Sequence, residues 1–238
     1  MSRTSRHATP RPCGHAQRTR LQLASSHVKA GSAAQLLGEL PAGRVQAIVT
    51  SPTRRDLDRA PETLFTQLHR VLRADGTLWL LTSEKRLLGV LVERGWILRE
   101  VDWATPLCVD PAGRARLFLL VKQPVFFYNT RAAELFLAQR AALVRNTGRW
   151  RGCSWSPEHR RELIRLCILA GSSQVACGVC DTPYTRTPQG TRHPTCAHDV
   201  PGGRCLIVDP FCHPGTGPHE IAARLGRTFL GITRDPSR

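Results

Sequence analysis

The sequence predicts an α/β fold in which a parallel β-sheet carries helices on both faces. Three observations carry that expectation. Short apolar runs alternate with stretches of helical spacing along most of the chain, and parallel strands need crossover helices between them. With 238 residues, 41% of them apolar, the chain is large enough for one substantial core and a small appendage. The run "CLIVDPFCHPGTG" at 205–217 ends an apolar strand in Asp209-Pro210 and leads directly into Gly215-Thr216-Gly217. That is the form of a strand delivering a ligand loop to a sheet edge.

The elements follow in order. Residues 1–27 are Arg- and Ser-rich, free of acidic residues and almost without an apolar face, which reads as a basic disordered arm. Residues 28–238 are expected to form the folded domain. "VQAIVTSP" (45–52) is a buried-strand signal closed by proline. Leu64, Leu68, Val71 and Leu72 recur at helical spacing in "PETLFTQLHRVLRADG", with Pro61 near its start and Asp75-Gly76 at its end. "TLWLLTS" (77–83) is the next strand, and "EKRLLGVLVERGW" a helix with Leu87, Leu88, Leu91 and Val92 on its apolar side. "ILREVDWA" and "RARLFLLVKQPVFFY" read as strands, the second stopped by Pro124. "RAAELFLAQRAALVR" has a helical composition. In "WSPEHRRELIRLCILAGS", Ser156 suits a cap, Pro157 the first helical position and Glu158 the positive end of the dipole. The strand "CLIVD", the helix "HEIAARLG" and the strand "TFLGIT" complete the domain.

Charge and cysteine usage narrow the function. The formal net charge is +16, and only three of the 34 basic residues are lysines. A balance this basic favours a polyanionic partner, most simply nucleic acid. Nine cysteines in a chain without a secretory signal do not read as a disulfide framework and imply a cytoplasmic protein. No apolar run approaches a membrane span.

The cysteines gather instead in an insert at about 174–205. Cys177 and Cys180 form a C-x2-C knuckle, followed by Cys196, His198 and Cys205. Thiolates and imidazole at this spacing suit tetrahedral Zn²⁺, and a full protein shell makes the metal structural. Five candidates for four places leave His198 and Cys205 in competition.

"TSPT" at 50–53 and "DPFCHPGTG" at 209–217 resemble the paired motifs of the amino-methylating DNA methyltransferases of the permuted, beta-type arrangement. There T-S-P-P-Y or D-P-P-Y comes early and D-P-F-x-G-S-G-T-T late. "GSAAQLLGELPAGRVQAIVTSP", "VLRADGTLWLL", "WSPEHRRELIRLCILAGS" and "AARLGRTFLGIT" are similar to further segments of that family in the same order, over most of residues 28–235. The resemblance implies a Rossmann-like, S-adenosylmethionine-dependent methyltransferase fold, circularly permuted, with "HVKAG" supplying the strand beside "TFLGIT". It implies S-adenosylmethionine as cofactor, double-stranded DNA as partner, and methyl transfer to N4 of cytosine or N6 of adenine. Phage-type members carry a similar cysteine cluster before D-P-F, in keeping with a zinc-binding insert.

Residue by residue, Ser51 matches the acceptor of the target amino group and Pro52 the first proline, while Thr53 stands at the second proline and Arg54 at the aromatic position. The cofactor side would comprise Asp209, Pro210, Phe211, His213, Gly215 and Thr216, together with Ser32, Thr233 and Ser172. His213 and Pro214 replace a glycine and a serine of the loop, and Ser32 and Thr233 replace two carboxylates. These replacements imply weak cofactor binding and slow or absent methyl transfer. The runner-up reading is a non-catalytic, zinc-containing nucleic-acid-binding protein on the same scaffold.

Overall fold

The computed structural model describes residues 27–60, 62–99, 116–147, 157–186, 190–198, 200–213 and 218–234. Residues 1–26 of the expected basic arm, Pro214, Gly215, Thr216 and the far end of "ILREVDWA" lie outside the described residues, and the arm's last expected residue, His27, instead begins the first strand. The chain runs β1 (His27–Ala30), α1 (Ala33–Gly38), β2 (Val45–Thr50), α2 (Arg54–Asp58), α3 (Glu62–Val71), β3 (Leu72–Thr82), α4 (Lys85–Glu93), β4 (Ile97–Arg99) and β5 (Arg116–Val121). It continues through α5 (Thr130–Thr147), α6 (Pro157–Gly171), β6 (Ala176–Cys177), β7 (Tyr184–Arg186), β8 (Arg192–Pro194), β9 (Pro201–Gly203), β10 (Leu206–Asp209), α7 (Pro218–Arg224) and β11 (Thr228–Thr233).

Seven strands form the main sheet in the order β1-β11-β10-β2-β3-β5-β4. The first five are parallel. β5 runs antiparallel to both β3 and β4, so the sheet is mixed and the all-parallel expectation fails at this strand. An apolar run specifies a buried strand but not its direction, which is why the sequence pattern missed the reversal.

Apolar side chains fill both faces. On one, Leu37 of α1, Leu64 and Leu68 of α3 and Leu91 of α4 pack with Ile48, Leu78 and Leu80. On the other, Phe136 of α5, Leu166 and Ile168 of α6 and Ile221 of α7 pack with Val49, Trp79, Ile207 and Phe229. Each such side chain, fully buried, contributes about 1.5–3 kcal/mol. The three-layer arrangement the sequence predicts is therefore present. Among the described residues, no helix is long and apolar enough to cross a membrane.

One boundary moves. Helix α3 stops at Val71, and β3 begins at Leu72 rather than at Thr77. Leu72 pairs with Val45, and the register shifts between Val45 and Ala47. Gly76 makes the shift possible: a Cβ there would meet the Gln46 carbonyl and Leu72 Cδ1, each at 2.8 Å. Asp75-Gly76 thus marks an irregularity within a strand pair rather than a helix end.

Candidate functional site

The strand order places the site. From β10 the chain crosses through α7 to β11 on one side, and from β2 it crosses through α3 to β3 on the other. Neighbouring β10 and β2 therefore flank a switch point, and ligands of open α/β sheets bind in the crevice beyond the carboxyl ends of such strands. Both segments singled out in the sequence arrive there. Thr50 ends β2, Asp209 ends β10, and the Thr50 hydroxyl donates to Asp209 Oδ1 at 2.6 Å. The Phe211 amide donates to the same oxygen at 3.1 Å. Burial pushes the Asp209 carboxyl up to about 6, although both hydrogen bonds and the charges of His213 and Arg160 act against the rise.

A narrow cleft opens at this point. Its lining includes Ser51, Asp209, Phe211, His213, Trp79 and Arg160. Ser51, Asp209, Phe211 and His213 are thus brought together as the sequence implied, and Pro52 is buried directly after Ser51.

Thr53 and Arg54 take a different course. Thr53 caps α2 in a reciprocal box with Asp56: Thr53 Oγ1 donates to Asp56 Oδ2 at 2.6 Å, the Thr53 amide donates to the same oxygen at 2.8 Å, and the Asp56 amide returns a bond to Thr53 Oγ1 at 3.2 Å. Arg54, the first residue of that helix, has a side chain 79% exposed and 4.0 Å from Asp58. It does not line the cleft, so the stacking position that the resemblance gave it is not formed. The short T-x-x-D signature at 53–56 was the signal for this helix, and the sequence reading passed over it.

Asp56 also reaches across the crevice. His213 Nε2 lies 3.0 Å from Asp56 Oδ2, joining α2, which follows β2, to the loop after β10. Arg234, just past β11, donates to the Asp56 carbonyl at 3.3 Å and sits 4.0 Å from its carboxylate. Burial raises the Asp56 pKa, but the Thr53 hydroxyl and amide and then His213 outweigh it, and the carboxyl stays below the ordinary range. His213, read as a lost glycine, is therefore half of a clasp over the cleft.

The remaining expected cofactor residues divide. Thr233 and Ser32 stand at the same sheet edge, joined through the bond from the Gly31 amide to the Thr233 carbonyl at 2.9 Å, but neither lines the cleft around Asp209. Ser32 is exposed, and its side chain makes no capping bond to α1. Pro210 turns the chain out of β10. Ser172 lies away from the cleft. It is fully buried, donates to the Ile168 carbonyl at 2.5 Å, and accepts from Arg227 Nε at 3.1 Å. Arg227 directly precedes β11, so Ser172 braces the amino-terminal edge of the sheet and does not meet the expected cofactor role.

The cysteine insert occupies that same amino-terminal edge. The ligand atoms of Cys177, Cys180, Cys196 and His198 all lie within 4.8 Å of one another. Cys205 stands apart from this group. It is fully buried just before β10, where desolvation pushes its thiol up to about 11 despite a backbone bond involving Ser173 and the charges of Arg227 and Arg73. Geometry therefore groups His198, and not Cys205, with Cys177, Cys180 and Cys196.

Burial raises the Cys180 thiol pKa, but hydrogen bonds with Thr182, His198 and Cys196 bring it down to about 6. Burial and the neighbouring sulfurs push Cys196 up to about 12. Sulfurs this crowded do not ionise together without a cation between them, and three thiolates with an imidazole form a donor set suited to zinc. Arg73 fixes the knuckle to the sheet, donating to the Cys180 carbonyl and Thr182 Oγ1, each at 3.0 Å, and to Asp75 at 2.8 Å. Arg44 lies 3.5 Å from Asp181 beside it.

No protein-family model matches the chain, and no curated protein sequence does. Similarity appears at the level of structure. A protein of Thermus thermophilus described as a DNA modification methylase superposes with a TM-score of 0.51 at 15% identity, covering 89% of this chain and 90% of that one. M1.HpyAVI matches at 0.48 and 13% identity over 88% and 92% of the two chains. PvuII DNA methyltransferase, cytosine-N4-specific, matches at 0.47 and 10% over 89% and 84%. The class this defines is an α/β fold of the DNA-methyltransferase type. The likeness to the Thermus thermophilus protein carries that assignment, and at 15% identity it is a statement about the fold.

Proposed function

We propose that the chain is a DNA amino-methyltransferase of the permuted, beta-type arrangement, with a zinc-stapled insert and a reduced capacity for its cofactor. The observation that carries this reading is the meeting of the Ser51 and Asp209 segments at the switch point, tied by the Thr50–Asp209 hydrogen bond. The strand order supports the permutation: β10, β11 and β1 follow one another outward from the switch point, although β1 comes first in the chain. A net charge of +16 supports a polyanionic substrate.

The crevice residues fit S-adenosylmethionine in kind: a buried carboxylate at Asp209, apolar walls and a guanidinium. When bound, that cofactor supplies an electrophilic methyl group. The chain's own part is to orient a flipped cytosine or adenine. The Ser51 side chain and the Pro52 carbonyl accept hydrogen bonds from the exocyclic amino group and aim the nitrogen lone pair into the cleft. Cys177, Cys180, Cys196 and His198 would hold a structural zinc at the opposite edge of the sheet.

The clasp between His213 and Asp56, and the outward course of Arg54, favour a second reading: a nucleic-acid-binding protein that has lost the reaction. One experiment separates the two. Calorimetry with S-adenosylmethionine should give a dissociation constant weaker than about 1 μM. Methyl incorporation into duplex DNA should be slow and absent from Ser51→Ala. Salt-sensitive DNA binding with neither cofactor binding nor incorporation would establish the second reading instead.

A further inference from the structure

Four arginines gather at the amino-terminal edge of the sheet, away from the crevice. Arg227, just before β11, is 6% exposed, and its guanidinium donates to neutral oxygens: Ser172 Oγ at 3.1 Å, the Ser172 carbonyl at 2.9 Å and the Leu225 carbonyl. Burial lowers this guanidinium to about 10; Cys205 opposes the fall, and the charge of nearby Arg192 adds to it. The turn from α7 into β11 collects the other three. Arg224 ends α7 and is exposed. Gly226 follows at φ 74°, where a Cβ would meet Gln174 Cγ and Nε2 at 2.8 Å, so Gln174 lies against the turn. Gln174 Oε1 accepts in turn from Arg192 Nη2 at the start of β8. Arg204 directly precedes Cys205, whose carbonyl accepts from the Thr228 amide at 3.0 Å. Arg192 and Arg204 are both exposed.

Among the described residues, none of these four arginines forms an ion pair. The neighbouring elements' carboxylates are engaged elsewhere, Asp181 by Arg44 and Glu220 by Arg161. A buried cation without a counter-ion is costly, and three exposed cations set around it leave a local excess of positive charge. An anion docking on that surface offsets both. We propose that Arg192, Arg204 and Arg224, set around Arg227, form a second DNA-binding surface that takes the phosphate backbone outside the crevice. This rests on the nucleic-acid partner of the proposed function. β11 runs Thr228–Thr233, about 20 Å of extended chain, so the patch stands a full strand length from the crevice rim at Arg234. It meets no flipped base. Guanidinium forks match phosphate oxygens as bidentate pairs, and such contacts add affinity without reading sequence.

The test is fluorescence anisotropy of a labelled DNA duplex with the full chain, at salt concentrations from about 50 to 200 mM. The triple variant Arg192→Gln, Arg204→Gln, Arg224→Gln should lower the slope of log affinity against log salt by about 2–3, since each phosphate contact contributes about 0.9. At about 0.1 M salt its binding should weaken by about tenfold or more. Replacing the same three by lysine keeps the charges and should keep the slope. If the triple glutamine variant does not fold, Arg192→Gln and Arg224→Gln singly should each remove about one from the slope. Arg131→Gln with Arg165→Gln, exposed on α5 and α6, removes charge elsewhere and should leave the slope nearly unchanged. The patch is overturned if the folded triple variant keeps the wild-type slope and affinity. It is equally overturned if the control pair loses as much slope per arginine, or if the lysine variant loses as much as the glutamine one. A wild-type chain that binds no duplex at any of these salt concentrations sinks the nucleic-acid partner itself, an outcome distinct from the others.

Discussion

Asp209→Asn should make the protein more stable at neutral pH while weakening its cleft. Burial lifts the Asp209 carboxyl from 3.8 to about 6, so the folded chain holds its proton more tightly than the unfolded chain does. A group raised in this way contributes stability that is fully present below 3.8 and is lost as pH rises through about 6. The difference is about two pKa units, or roughly 3 kcal/mol of cost for the ionised side chain at pH 7 to 8. Asparagine is nearly the same shape, and its Oδ1 still accepts from the Thr50 hydroxyl and the Phe211 amide. Urea unfolding at several pH values between 4 and 8 is the assay. At pH 4 the two proteins should unfold alike, and the variant should pull ahead through pH 6. By pH 8 it should be about 3 kcal/mol more stable, or roughly 6–12 °C in melting temperature for a domain of this size. A gap independent of pH, or a variant less stable at pH 8, would refute the reasoning.

His213→Gly should tighten S-adenosylmethionine binding by about tenfold and cost about 1 kcal/mol of stability, since it opens the clasp and removes one hydrogen bond. Calorimetry and thermal melts on the same sample check both signs, and an unchanged or lower affinity would mean that the clasp does not bar the cleft. Purified protein should carry about one zinc per chain by elemental analysis. Chelation or Cys180→Ser should loosen the starts of β2 and β3, where Arg44 and Arg73 dock the knuckle. Amide exchange at Asp209 should respond less; the opposite order of protection loss would contradict this placement. Gly171→Ala should lower the urea midpoint by the equivalent of about 1–3 kcal/mol, because the added methyl would press into Thr77 Oγ1 and Trp79 Nε1.

The layers were legible in the sequence because helical spacing at Leu64, Leu68 and Val71, and runs such as "LIVD", report burial directly. The direction of β5 was not, since burial carries no sense of polarity along the chain. Within the site, Ser51 and Asp209 announced themselves through their motifs. Asp56 did not, because its role depends on His213, which is 157 positions away in sequence. Ser172 was placed at the wrong edge, and Cys205 was left in competition with His198, for a shared reason. Each sits beside a recognisable element, but at the amino-terminal edge of the sheet, and local sequence does not say which edge a residue faces. His198 prevailed over Cys205 on position alone: Cys205 lies directly before the first residue of β10 and is drawn into the sheet's base.

Because β1 hydrogen-bonds to β11, the earliest-synthesised of the described strands pairs with the latest. At about 5–20 residues per second, the roughly 200 residues between them take on the order of 10–40 s to synthesise, and β1 spends that time without its neighbour. The half-sheet β2, β3, β5 and β4 is complete much earlier, and its pairings do not require the later strands. The crevice waits on β10, which emerges after the cysteine knuckle has been made. A nascent chain stalled before Leu206 would therefore carry half of the sheet, both arginine anchors for the knuckle and all four of its metal-ligand candidates, yet lack the strand that forms the other wall of the cleft.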